Sequence, residues 1–134
     1  MLQELRPELF WLTLTAVLTG LLWVPYLINR IMEIGPWGTL GIPRLKPDAP
    51  WAERLMRAHA NAVENLVVFA PLVLAAHVSG MASSMTVLAC AVYFWARVVH
   101  VGAYVAAVPV LRTLAFTVGF LSQATLALHL LGKI

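Results

Sequence analysis

A chain of 134 residues, 61% hydrophobic and only 11% charged, with a mean hydropathy of +0.85, lacks the roughly one-quarter charged residues of a soluble domain and reads as a membrane protein. Its net charge of +3 and pI near 9.5 come from basic residues that flank apolar stretches. With no aromatic-interleaved basic patch, nucleic acid is excluded as a partner, and a single cysteine, Cys90, excludes an internal disulfide or a cysteine-built metal site.

A bilayer-crossing helix needs about 20 mostly apolar residues, and four stretches qualify, which predicts an all-α, four-helix membrane bundle in a single domain. The opening "MLQELRPELFWLTL" carries acids where a secretory leader would be basic. The first span, about residues 9–32, is therefore read as a true helix, with Pro25 a candidate kink and Trp11 and Trp23 candidate interfacial anchors. "GPWGTLGIPRLKPDAPW" then reads as a loop with several turn signals, and Pro50 stands close to the start of the second span, about 52–78. The short uncharged "SGMASSM" makes the second span and the third, about 84–107, antiparallel neighbours, and Cys90 within the third reads as a small buried hydrophobe. After "AAVPVLR", with Pro109 breaking the run, comes the fourth span, about 111–131.

An even number of spans puts both termini on one side. Arg6 and Lys133 lie there, against Arg30, Arg44, Lys46, Arg54, Arg57 and Arg112 on the other, which places the first and third loops in the cytoplasm.

The second span opens with "ERLMRAHANAVENLVVF". On a helix, Glu53, Arg54, Arg57, Asn61, Glu64 and Asn65 fall within a sector of roughly 120°, with His59 nearly opposite. Such a stripe serves either as an interhelical ion-pair and amide network or as a polar pocket for a small, multiply charged ligand. In a pocket, arginine forks suit carboxylates, a glutamate suits an ammonium, and an asparagine both donates and accepts. The third span adds a second stripe, Tyr93, Arg97, His100 and Tyr104, spaced for one helix face. Arg97 lies within the span and needs an anionic partner, for which Glu64 is the expected one. Arg112 stands in the first turn of the fourth span with Thr113 beside it; a cation is unfavourable there with the helix dipole, so it either snorkels to phosphates or faces the same cytoplasmic mouth. The histidines His59, His77, His100 and His129 show no two-ligand spacing, and no metal is expected.

These residues resemble the MAPEG family, the membrane-associated proteins in eicosanoid and glutathione metabolism. Its second-span motif stands here as Glu53, Arg54, Arg57, Ala58, His59, Asn61 and Glu64; "ARVVHVGAY" and "PVLRT" resemble its microsomal glutathione transferase and prostaglandin E synthase branch, and "HANAVEN" its bacterial members. The likeness runs from Trp51 to Gln123. It implies a homotrimer that binds glutathione near the cytoplasmic face of a bacterial inner membrane and turns its thiolate on an apolar electrophile or lipid hydroperoxide. Arg57, Asn61, Glu64 and Asn65 would hold the peptide, supported by Arg54 and Arg97. His100 and Tyr104 of an adjacent protomer would complete the pocket, and Arg30 would close it. Arg112 would sit beside the sulfur, with the Thr113 hydroxyl donating to it. Phe116, where a tyrosine is common, and "VAAVPV", where a basic pair is usual, bear on the second substrate. A non-catalytic lipid- or glutathione-binding protein, and an accessory subunit of a larger membrane complex, are the competing readings.

Overall fold

The computed structural model describes residues 4–41 and 49–134. Arg44 and Lys46, counted above in the charge balance, lie outside the described residues. Five helices follow one another: α1 (Pro7–Leu21), α2 (Trp23–Gly41), α3 (Pro50–Val78), α4 (Ser84–Val105) and α5 (Pro109–Leu130). The first two together, and each of the others, are long and apolar enough to cross a membrane, four candidate spans in all.

Helix starts follow from local chemistry. Pro7, Pro50 and Pro109 each open a helix, where the missing N–H would have no intrahelical partner anyway. α4 instead opens with a capping box: the Ser83 side chain accepts from the Thr86 backbone N–H while the Thr86 hydroxyl accepts from the Ser83 backbone N–H at 2.7 Å.

The break in the first span falls at Leu22, three residues ahead of Pro25. A proline ring clashes with the carbonyl four residues earlier, here that of Leu21, and the Leu22 N–H turns back to the Thr19 carbonyl at 3.4 Å. The stretch read as loop from its glycines is in part helical. The chain breaks at Gly35, whose φ of +75° suits glycine, then resumes with Pro36 and stays helical to Gly41.

α1 packs on α3 and α4, α2 on α3, and the most extensive contact is that between α4 and α5. One core cluster joins Phe69, Val73, Ala89, Cys90, Tyr93 and Leu126, with the Phe69 and Tyr93 rings stacked at 3.8 Å. A second, toward the other end, joins Leu22, Leu55 and Ala62 with Tyr26, Val101 and Val105 around them. No residue of α2 is buried, whereas α1 buries Glu8, Thr15 and Thr19. α3 has 29 residues, about 43 Å at 1.5 Å per residue, whereas α4 and α5 have 22 each, about 33 Å and close to the thickness of a hydrocarbon core.

Candidate functional site

At the ends of α3 and α5 from which both run inward, and the end of α4 that meets them, a cavity of about 290 Å³ is lined by Asn61, His100, Tyr104, Arg112, Thr113 and Phe116. The Ala107 turn joins the two helices, α4 and α5, that supply most of the lining. Ala107 takes a left-handed φ of 59°, and the Ala107 and Val108 N–H groups close on the carbonyls of Tyr104 and Ala103 at 3.2 and 2.9 Å, a C-cap more often given to glycine. This reversal brings the first turn of α5 against the last turn of α4, where the Arg112 guanidinium lies 4.8 Å from the centre of the Tyr104 ring. Arg112 makes no ion pair among the described residues. His100, 2% exposed, meets Tyr104 edge-on at 5.7 Å and Phe116 at 6.3 Å; its Nδ1 is buried with no hydrogen-bond partner among the described residues.

Asn61 enters the cavity from α3 with its orientation decided by its neighbours. Nη2 of Arg97 donates to Asn61 Oδ1 at 2.7 Å; a guanidinium only donates, so the atom facing it is the oxygen and the amide nitrogen is left for other partners. Arg97, 3% exposed, is thus partnered by a neutral amide. The expected partner, Glu64, is exposed and makes no hydrogen bond or ion pair among the described residues. Three positions beyond Asn61, Glu64 is rotated about 60° around the helix, enough to turn it from α4 to the outer face.

The remaining expected residues divide. Arg54 donates Nε to the Val105 carbonyl at 2.9 Å, tying α3 to the end of α4. Arg57 pairs with Glu53 at 3.0 Å on the surface. Asn65 donates to the Asn61 carbonyl at 2.9 Å and to its Oδ1 at 3.3 Å, so it supports Asn61 from behind rather than lining the cavity. Arg30 is on α2 and is not among the lining residues. Thr113 lines the cavity, but its hydroxyl donates to the Pro109 carbonyl at 3.0 Å, so the proton expected for a sulfur is already engaged. Asn61, His100, Tyr104 and Arg112 line one cavity within the single chain.

Several polar ties went unread in the sequence. Gln123 donates Nε2 to the Asn65 carbonyl at 3.1 Å; it stands eleven residues after Arg112, three helical turns on, a spacing that could have found it. The Tyr26 hydroxyl and His59 Nδ1 share a hydrogen bond of 2.8 Å between α2 and α3, and His77 pairs with Glu8 at the far end of the bundle. Among the described residues no group of three or more His, Cys, Asp and Glu side chains is placed to hold a metal ion.

The cavity is donor-rich. Arg112, the Asn61 amide nitrogen and the buried Arg97 behind it favour an anion, while the carboxylate of Glu64 on the neighbouring face of α3, unpartnered among the described residues, favours a cation. In comparisons with known proteins, residues 9–132 match the MAPEG family model. No curated protein and no solved structure matches the chain.

Proposed function

Since this chain belongs to the MAPEG family, and is an integral membrane protein with a glutathione-related setting, we propose that it is a glutathione-dependent transferase or peroxidase of the microsomal glutathione transferase and prostaglandin E synthase type. The observation that carries this reading is the Arg112 guanidinium, held over Tyr104 at the edge of the cavity with no ion pair among the described residues. A cation in the first turn of a helix opposes the helix dipole, and an anion arriving beside it repays that cost.

The residues present fit a peptide bearing two carboxylates, an ammonium and a thiol. The Asn61 amide nitrogen and the arginine forks, Arg30 and Arg57 among them, would take carboxylates; Glu64 would take the ammonium. A homotrimer belongs to this reading, a second protomer packed on that face covering Glu64, which is exposed in the single chain. Arg54 and Arg97 hold the walls through Val105 and Asn61.

A free thiol has a pKa of about 8.5, and only its thiolate attacks electrophiles. Arg112 favours the ionised sulfur by its charge, and the released proton leaves through the aqueous mouth. In conjugation a sulfur–carbon bond forms and the electrophile's leaving group departs with the displaced electron pair. Thr113 assists only if its hydroxyl turns from Pro109. The apolar electrophile enters from the hydrocarbon; the membrane would be a bacterial inner membrane, with the mouth of the site in the cytoplasm.

The test is a glutathione titration of the detergent-purified protein, recording heat and thiolate absorbance together, for the native chain and Arg112→Ala. Binding with a thiolate signal that is lost in the variant supports the enzyme. Binding without thiolate makes the chain a glutathione-binding protein lacking the chemistry, and no binding sinks the reading in favour of an accessory subunit.

A further inference from the structure

Behind the cavity lies a row of amides whose orientations are all set by partners of one polarity. Arg97 Nη2 fixes Asn61 Oδ1 toward α4 at 2.7 Å. Asn65 meets the backbone carbonyl of Asn61 at 2.9 Å, which accepts only, so the atom presented is the nitrogen; that same nitrogen reaches Asn61 Oδ1 at 3.3 Å. Gln123 meets the backbone carbonyl of Asn65 at 3.1 Å, so it too presents nitrogen. Gln123 is 6% exposed and sits on the face of α5 that carries Arg112, about 20° off the same line after three turns. One turn before it, Gly119 faces the Tyr93 ring of α4, which an added Cβ would meet at 3.7 Å.

We propose that Gln123 is a positioning residue: by anchoring the α3 backbone at Asn65 to α5 it keeps Asn61 in register with Arg97, which holds the amide oxygen, and so leaves the Asn61 nitrogen as a donor to whatever binds in the cavity. Without that tie, the α3 backbone at Asn65 loses its anchor on α5, and the turn that carries Asn61 is free to shift against Arg97 on α4. The group that Asn61 contacts is then an acceptor, a carboxylate or carbonyl oxygen. That identification rests on the glutathione reading; the locking of the amide does not.

The experiment uses the full chain in detergent with nitrogen-15 in its side-chain amides, the Asn61 signal being identified by its loss in Asn61→Ala. Gln123→Met keeps the length and removes the donor; Gln123→Asn, too short to reach Asn65, is the second variant should the first fail to fold. The native protein should give one Asn61 amide pair, and the variants a doubled or exchange-broadened one. Glutathione affinity should fall by about threefold to tenfold, the range that hydrogen bonds inside membrane proteins span, with thiolate absorbance per bound glutathione unchanged. Added to Asn61→Ala, Gln123→Met should weaken binding no further. An unaltered Asn61 pair in the variants overturns the positioning role, and additive losses with Asn61→Ala overturn its link to the ligand. Should the native chain bind no glutathione, the proposed function falls while the amide spectrum still decides the role of Gln123.

Discussion

Oε1 of Glu8 and Nδ1 of His77 lie 2.9 Å apart across 69 positions of sequence, joining the first turn of α1 to the last turn of α3. Each group stands at the helix end whose dipole favours its charge, but their surroundings differ: the Glu8 side chain is 5% exposed and that of His77 36%. Removing one partner leaves the other with unequal access to water. His77→Ala strands a buried carboxyl and should lower stability by about 1–3 kcal/mol, whereas Glu8→Gln keeps a hydrogen-bonding group and should cost about 1 kcal/mol or less. Thermal unfolding of the two variants in one detergent checks the order; equal losses would contradict it.

Ala107 and Gly119 invite opposite exchanges. Ala107 holds a φ of 59°, where an L side chain is strained, so Ala107→Gly should raise stability by about 1 kcal/mol. Gly119 is within α5 at an ordinary helical φ, and an added Cβ would meet the Tyr93 ring at 3.7 Å and Ala96 at 4.0 Å, normal contact distances. Gly119→Ala should therefore stabilise too, by about 0.5–1 kcal/mol. A lower unfolding midpoint for either variant would refute the corresponding argument.

Tyr26 and His59 tie α2, which buries no residue of its own, to α3. Tyr26→Phe removes a hydrogen bond with a net worth of about 1 kcal/mol and little else. Amide hydrogen exchange along α2 should speed up by about fivefold while α4 and α5 are unchanged. A uniform change over all helices would mean that the tie is global instead.

Glu64 and Arg112 should separate binding from activation. If the carboxylate takes the ammonium of glutathione, Glu64→Gln should weaken binding by about tenfold or more, a loss typical of one partner in a charge-assisted pair, and leave thiolate absorbance at saturation intact. Arg112→Ala should do the reverse. Parallel losses of affinity and thiolate in both variants would show that the two groups do not divide the work.

The spans, and the faces that gather Asn61, Arg97, His100 and Tyr104, were legible because helical periodicity is a local property written into a dozen consecutive residues. The partners were not. Charge alone pairs Arg97 with Glu64; the rotation of α3 against α4, invisible in either stripe by itself, gives it Asn61. Spacing could not show which helix ends meet, so Glu8 and His77 stayed unconnected. The glycines and prolines of "GPWGTLG" read as loop, yet one left-handed residue, Gly35, suffices for the turn, and Pro36 begins a helix as readily as it ends one.

α3 outruns α4 and α5 by seven residues, about 10 Å. With Arg54 fastened to the last turn of α4, the turn that holds Trp51 and Glu53 stands beyond the end of α4, while Asn61, two turns further along, lies alongside it and takes the Arg97 hydrogen bond. With α4 spanning the hydrocarbon, as the proposed function has it, a boundary between two solvents runs across this one helix. A solute carried in the aqueous phase and another dissolved in oil would then reach opposite sides of the same few side chains, and could react there although neither crossed into the other's phase.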